Sequence, residues 1–192
     1  MFRRFSLLAL VFTLASAGVA RSTTVIPPSF DALVSEASTI FVGEVMNLRA
    51  DWTSTSSGRA IMTSVTFRVE EVWKGQVGAV TQLEFMGGEI GDLGMKVHGM
   101  PTFRMGQRDV LFVSGGARKI SPLVGLMHGR MRVERDRVSG IDRVRTHDGQ
   151  ALGSVAQIGP QRAPASLASI VPMRLGELES AVRARLGAAR QR

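Results

Sequence analysis

The chain has 192 residues, 44% of them hydrophobic, which is enough for one domain with a substantial core. It contains no cysteine, so thiol catalysis, disulfide bridges, cysteine-type zinc sites and lipid attachment through cysteine are excluded. The formal net charge is +8 and is uneven: residues 21–114 carry 8 basic and 10 acidic side chains, whereas residues 115–192 carry 14 and 6. This basic half can bind an anionic surface, or its arginine side chains can simply be solvated on the exterior of strands and helices.

The first twenty residues have the pattern of a secretory signal. Arg3 and Arg4 precede an apolar run at residues 5–15, and small residues follow as far as Ala20. We therefore predict that residues 1–20 are a signal peptide and that the protein is exported, to the periplasm or the extracellular space of a bacterium. An uncleaved anchor is the alternative. No later segment is a better candidate for spanning a bilayer, so the mature form is expected to have no transmembrane segment.

Residues 21–59 are predicted to contain one helix and one strand. Pro27 and Pro28 keep residues 21–28 extended. Ser29 is a good N-cap for a short amphipathic helix whose apolar positions recur at helical spacing, namely Phe30, Leu33, Val34 and Ala37. Residues 39–50 are β-branched and apolar, which indicates the first strand. A polar loop is expected at residues 51–59, with one exposed aromatic side chain, Trp52.

The next strand, at residues 63–75, has the clearest pattern in the chain. Apolar and polar residues alternate through Phe67, as in a strand with one buried face. The alternation then slips at Glu70 and Glu71, and Val72 resumes the apolar series one position late. A β-bulge explains this slip, because one extra residue restores the buried face and bends the strand.

The remaining elements are mostly strands, separated by glycines. Strands are predicted at residues 80–86, 108–114 and 123–134, followed by a weaker hairpin of residues 138–146 and 151–158 around an Asp148-Gly149 turn. The glycine segment, which we define as residues 87–106, contains six glycines and is either functional or an elaborated hairpin. Beyond Pro172 the apolar residues return at helical spacing, which predicts a C-terminal helix.

These elements predict a mainly β fold. We expect a small OB-like, partly open β-barrel with a short N-terminal helix and a C-terminal helix. A β-sandwich is the alternative, because strands spaced about 8–12 residues apart also suit it. The barrel domain is expected at residues 21–158, and residues 159–192 are expected to form a linker and a helix that packs on the barrel.

Three stretches, at residues 30–45, 66–75 and 86–113, read FDALVSEASTIFVGEV, TFRVEEVWKG and MGGEIGDLGMKVHGMPTFRMGQRDVLFV. They resemble a group of exported bacterial proteins and, more distantly, the netrin-type OB barrel of tissue inhibitors of metalloproteinases. The shared positions are mostly glycines and core residues, so the resemblance implies a fold rather than an activity. The chain also lacks the N-terminal cysteine with which those inhibitors chelate the protease metal.

No catalytic, metal or cofactor site is predicted. His98, His128 and His147 each stand alone, outside any H-x-x-x-H or H-E-x-x-H pattern. No G-x-S-x-G elbow occurs, and the glycine segment contains no phosphate-binding motif. Glu70 and Glu71 are better explained by a bulge than as a general acid and a general base.

A binding function is what remains. Nucleic acid is disfavoured, because the basic half contains no aromatic side chain on which bases could stack. We expect an exported, non-catalytic binding module for another exported protein or an anionic envelope polymer. Its candidate binding residues lie in the predicted loop, the glycine segment and the arginine-rich strand, namely Trp52, Glu89, Asp92, His98, Arg104, Arg130 and Arg132. The alternatives are a secreted hydrolase or metal-dependent enzyme, and an inhibitor or accessory protein of a secreted protease.

Overall fold

The computed structural model describes residues 26–55, 58–115, 120–160 and 170–191. The predicted signal peptide and most of the predicted extended segment and linker lie outside these ranges. The described chain is mainly β with two helices, as predicted. Its elements are α1 (Phe30–Glu36), β1 (Ala37–Thr55), β2 (Gly58–Lys74), β3 (Val80–Met86), β4 (Gly88–Ile90), β5 (Leu93–Met95), β6 (Arg108–Ser114), β7 (Arg130–Arg135), β8 (Asp142–Thr146) and α2 (Leu175–Arg190), with short 3₁₀ helices at Leu126–Gly129 and Val155–Gln157.

Six of the strands form one antiparallel sheet in the order β3-β2-β1-β6-β7-β8, and β4 and β5 form a separate ribbon. Strand β1 is shared by two meanders, because it pairs with β2 on one side and β6 on the other. Within the described residues, the sheet is not closed into a barrel. The outer edge of β8 pairs instead with the approach to α2, where the Val144 N–H donates to the Met173 carbonyl at 2.9 Å. The described strands also do not form two sheets of similar size, as a sandwich would require.

Both predicted helices are present and have identifiable caps. The Ala32 N–H donates to the Ser29 hydroxyl oxygen at 3.2 Å, so Ser29 is the N-cap of α1. At the other end of α1, the Lys74 ammonium donates to the Val34 carbonyl at 2.7 Å and thereby joins the helix to β2. The first turn of α2 is closed by the Glu177 carboxylate, which accepts from the Arg174 N–H at 2.7 Å.

The core is divided between the two faces of the sheet. Alternate residues of β1 point to opposite faces, so that Ile40 and Val42 join one buried cluster and Phe41 joins the other. The helix face is covered by α1 and α2, and its cluster includes Leu33, Phe112, Met131, Leu178 and Val182. The opposite face, which we call the segment face, holds Phe67, Phe85 and Leu111, with Phe103 of the glycine segment packed against them.

The β-bulge predicted in β2 is confirmed. Val42 pairs with Glu71 and the next residue, Gly43, pairs with Val69, which leaves Glu70 as the extra residue. The two adjacent glutamates are then held by different arginines. Arg108 contacts the Glu70 carboxylate at 2.7 Å, whereas Arg183 of α2 lies 3.7 Å from Glu71. Hydrogen bonding to Glu70 and then to Asp142 raises the pKa of Arg108, so this arginine is a fixed cation that links β2 to β8.

Three predicted boundaries are wrong. The polar loop at residues 51–59 is mostly strand, because the polar side chains pair across a two-stranded hairpin whose exposed positions do not need to be apolar. The strand at residues 123–134 is interrupted before Arg130, where Gly125 and Leu126 have φ near +60° and start a 3₁₀ helix. The strand at residues 151–158 is reduced to one bridge at Ala151, although the turn before it is confirmed by the positive φ of Gly149.

Candidate functional site

The end of the β1–β2 hairpin extends past the neighbouring strands. β6 pairs with β1 no further than Glu44, and β3 pairs with β2 no further than Met62. The hairpin arm, which we define as residues 52–55 and 58–61, therefore consists of two strands paired with each other. Trp52 is 40% exposed on this arm, and the Arg59 guanidinium lies over it, 4.8 Å from the ring centre. This cation–π contact orders both side chains at the surface.

The glycine segment leaves the base of the hairpin arm and crosses the segment face. At its start the Gly87 N–H donates to the Ile61 carbonyl at 2.8 Å, and the Gly87 carbonyl accepts from the Thr63 hydroxyl at 2.6 Å. Near its end the Phe103 ring lies 4.9 Å from Phe85. The segment is therefore an elaborated hairpin with an ordered path, built from β4, β5 and a connection anchored by Phe103.

Four of the predicted binding residues lie along this segment: Glu89, Asp92, His98 and Arg104. All four are exposed. Their neighbours Leu93 and Met105 are exposed apolar side chains. Within the part of the chain that the structure describes, no hydrogen bond or ion pair joins any two of the four, so the fold does not gather them into one site.

The prediction that Arg130 is a surface binding residue is wrong. Its side chain is 1% exposed, and its Nε donates to the Asp109 carboxylate, which is completely buried, at 2.9 Å. The same guanidinium donates to the Thr102 carbonyl and lies 4.4 Å from the centre of the Phe103 ring. Burial raises the pKa of Asp109, and the charge of Arg130 opposes that shift. Arg130 therefore holds the glycine segment on the sheet from inside.

The other arginines of the basic half are largely neutralised by acidic neighbours. Arg132 is half-buried opposite Asp109 in the β6–β7 register, and its Nε is one of the buried polar atoms without a hydrogen-bond partner among the described residues. Arg143 lies 3.9 Å from Asp136, and Arg145 lies 2.5 Å from Glu134. Several arginines of this half are therefore paired with carboxylates on or near the surface, and Arg135, Arg143 and Arg145 do not form a row of bare cations.

A histidine pair that the sequence analysis did not predict lies at the edge of the helix face. The ring centres of His128 and His147 are 5.0 Å apart, with their planes almost perpendicular. Both residues line a cavity of about 140 Å³ together with Met131, Thr146, Ile158 and other residues of the N-terminal approach and the 155–160 turn. The Thr146 hydroxyl donates to the Asp148 carboxylate beside this pair.

Strand register provides the signal that could have revealed this pair. Met131 pairs with Thr146 in the β7–β8 hairpin. Residues that precede Met131 therefore lie beside residues that follow Thr146, which brings His128 close to His147. The register depends on the length of the turn between the strands, and that turn could not be fixed from sequence because β8 begins at Asp142 and not at residue 138.

The histidine pair is expected to make the stability of the protein depend on pH. Burial lowers the pKa of His128, the neighbouring His147 lowers it further, and Asp148 opposes both effects. A histidine whose pKa is lower in the folded state takes up its proton more readily when unfolded, so stability falls as pH drops below about 6.5 and levels off below the folded-state pKa. Denaturant titrations across this range should show a shallower decline for His128→Gln than for the parent. Exposed His98→Gln is the control, and an unchanged slope for His128→Gln would contradict the assignment.

Comparison of the chain with protein-family models, curated proteins and solved structures found no match. Among the described residues no helix is long and apolar enough to cross a membrane. Within the same residues, no three His, Cys, Asp or Glu side chains come together as a set that could hold a metal ion. Geometry and charge are therefore the observations on which a functional interpretation of this chain can be built.

Proposed function

We propose that this protein is a non-catalytic binding module that presents the hairpin arm to another protein. The observation that carries the proposal is the Trp52–Arg59 stack, an exposed indole with a guanidinium over its ring on a two-stranded projection. Trp and Arg are the side chains most enriched among residues that dominate binding energy at protein interfaces. Their mutual packing also means that little side-chain freedom remains to be lost when a partner binds.

A protein partner is favoured over an anionic polymer by the distribution of charge. A polyanion requires a row of cations without local counter-charges, because its affinity comes from many phosphate-like or carboxylate contacts. In the described chain, Arg143 and Arg145 each have a carboxylate within 4 Å, and Arg130 is buried. The hairpin arm, by contrast, combines one aromatic surface with one cation, which suits a mixed apolar and acidic protein surface.

Export and an OB-like architecture are part of the same proposal. Export is supported by the Arg3-Arg4 pair, the apolar run and the small residues up to Ala20. The OB-like interpretation is supported by the long bulged hairpin and by β1, which belongs to both meanders and thus allows an open sheet to curl.

A photo-crosslinking amino acid at Ser54 tests the proposed interface. Ser54 is exposed two residues from Trp52 on the same face of β1 and pairs with Arg59 in the β1–β2 register, so the reporter lies beside the Trp52–Arg59 stack. We expect a crosslink to one defined protein, reduced at least tenfold by Trp52→Ala because the main anchor is lost. Mass spectrometry of the crosslinked product identifies the partner.

The matched control carries the reporter at Val138, which is fully exposed in the turn between β7 and β8. The same crosslinked protein from Val138, or a Ser54 crosslink that Trp52→Ala leaves unchanged, would count against the interface. Once the partner is purified, its Kd is measured at several salt concentrations. A steep loss of affinity with salt would instead indicate a polyelectrolyte interaction.

A further inference from the structure

The cavity at the edge of the helix face is lined by two imidazoles and one thioether residue. It is lined by His128 and His147 and by Met131, whose thioether belongs to a residue only 3% exposed. Met131 is part of the helix-face cluster, and Ile158, which also lines the cavity, packs against that cluster. The Met131 side chain therefore lies on the side of the sheet where the cavity is.

The spacing of the two imidazoles suits a shared metal ion. Two imidazoles that bind one metal at a metal–nitrogen distance of about 2.0 Å hold their ring centres roughly 5 Å apart. The His128 and His147 ring centres are 5.0 Å apart. A metal takes one nitrogen of each ring, and a hydrogen bond at the other nitrogen fixes the orientation of the ring.

The ligand types discriminate between metals. A thioether is a soft ligand that selects Cu(I), whereas imidazole suits copper and zinc alike. A monovalent ion with three uncharged ligands also costs less to bury than a divalent one, and the walls here are largely apolar, with Pro27, Pro28 and Ile158. A cavity of about 140 Å³ has ample room for one ion.

One carboxylate, that of Asp148, lies beside the two imidazoles, and the guanidinium groups of Arg132 and Arg145 approach the next residue, Gly149. Arg130 contributes to the lining of the cavity, but the guanidinium is held on the segment face by Asp109 and the Thr102 carbonyl, away from the ligands. The Asp148 carboxylate acts electrostatically on both His128 and His147. Its negative charge offsets part of the charge of an ion bound between them.

We propose that His128, His147 and Met131 form a copper(I) site. It is separate from the hairpin arm and independent of the function proposed for that arm.

Anaerobic titration of tag-free protein with Cu(I), in competition with a chromophoric Cu(I) chelator, tests the site. We expect one tightly bound ion per chain, and X-ray absorption should show one sulfur and two nitrogen ligands. Met131→Leu conserves volume and should keep the fold, yet it should weaken Cu(I) binding at least tenfold and remove the sulfur signal. His147→Gln should weaken binding by at least as much.

His98→Gln and Met105→Leu are the matched controls, because both residues are exposed on the glycine segment. These two variants should retain the parental affinity. Equal loss in the controls, or no loss in Met131→Leu, would mean an adventitious ion only and would overturn the proposal. Tighter binding of Zn²⁺ than of Cu(I), unaffected by Met131→Leu, would replace it with a two-histidine zinc site.

Discussion

Replacing Arg130 by methionine is expected to lower the free energy of unfolding by about 3–5 kcal/mol. The change leaves the Asp109 carboxylate at 0% exposure without the guanidinium that lies 2.9 Å from it. It also removes the hydrogen bond to the Thr102 carbonyl and the contact with the Phe103 ring, both of which hold the glycine segment. Urea denaturation followed by circular dichroism measures the loss.

Two further variants distinguish the cost of leaving a buried carboxylate unpaired from the cost of replacing an arginine side chain. The double variant Asp109→Leu, Arg130→Met removes both charges of the buried pair, so part of the stability should return, although half-buried Arg132 then loses the carboxylate opposite it. Arg145→Met is the matched surface control, since its partner Glu134 is exposed, and it should cost less than about 1 kcal/mol. An Arg130→Met variant as stable as Arg145→Met would show that the buried pair contributes little.

Gly88→Ala is expected to cost about 2–3 kcal/mol. Gly88 has φ +136°, a conformation that side chains other than glycine rarely adopt, and an added methyl group would overlap the Thr63 hydroxyl oxygen and press on Ile61. That hydroxyl group is already bonded to the Gly87 carbonyl, so it cannot move away freely. Hydrogen exchange should reveal where the strain acts, as loss of protection at the Gly87 N–H.

Gly91→Ala is the matched control for this change. Gly91 also has a positive φ, +58°, but no atom lies within 4 Å of the added methyl group. We expect a cost of only about 1–2 kcal/mol, due to the left-handed conformation alone. If Gly88→Ala and Gly91→Ala have the same stability, the close approach of Gly88 to the Thr63 hydroxyl group does not add to the requirement for glycine at position 88.

Local patterns predicted most of the elements, because each is determined by neighbouring residues. Ser29 and the spacing of Phe30, Leu33 and Val34 were sufficient for α1. The phase slip at Glu70 and Glu71 located the bulge to this pair, because a register error in a strand with one buried face would expose its core residues. The C-terminal helix and β6 were recognised for similar reasons.

What sequence could not supply was tertiary proximity. The alternation along β7 predicts an exposed Arg130, because it does not reveal that Thr102 and Phe103 cover one face of that strand. The polar composition of residues 51–59 predicts a loop around Trp52, whereas strand pairing with Ile61 orders this segment. His128 and His147 meet only through the register of the β7–β8 hairpin.

The packing of α1 against α2 has a consequence for the order in which the chain acquires its structure. Asp31 of α1 lies 2.9 Å from Arg185 of α2, and Leu33, Leu178 and Val182 share the same buried cluster. The apolar side of α1 packs against α2, which begins more than a hundred residues later in the chain. Such long-range closure slows folding. The helix-face cluster is therefore complete only when the first and the last described elements of the chain are both in place.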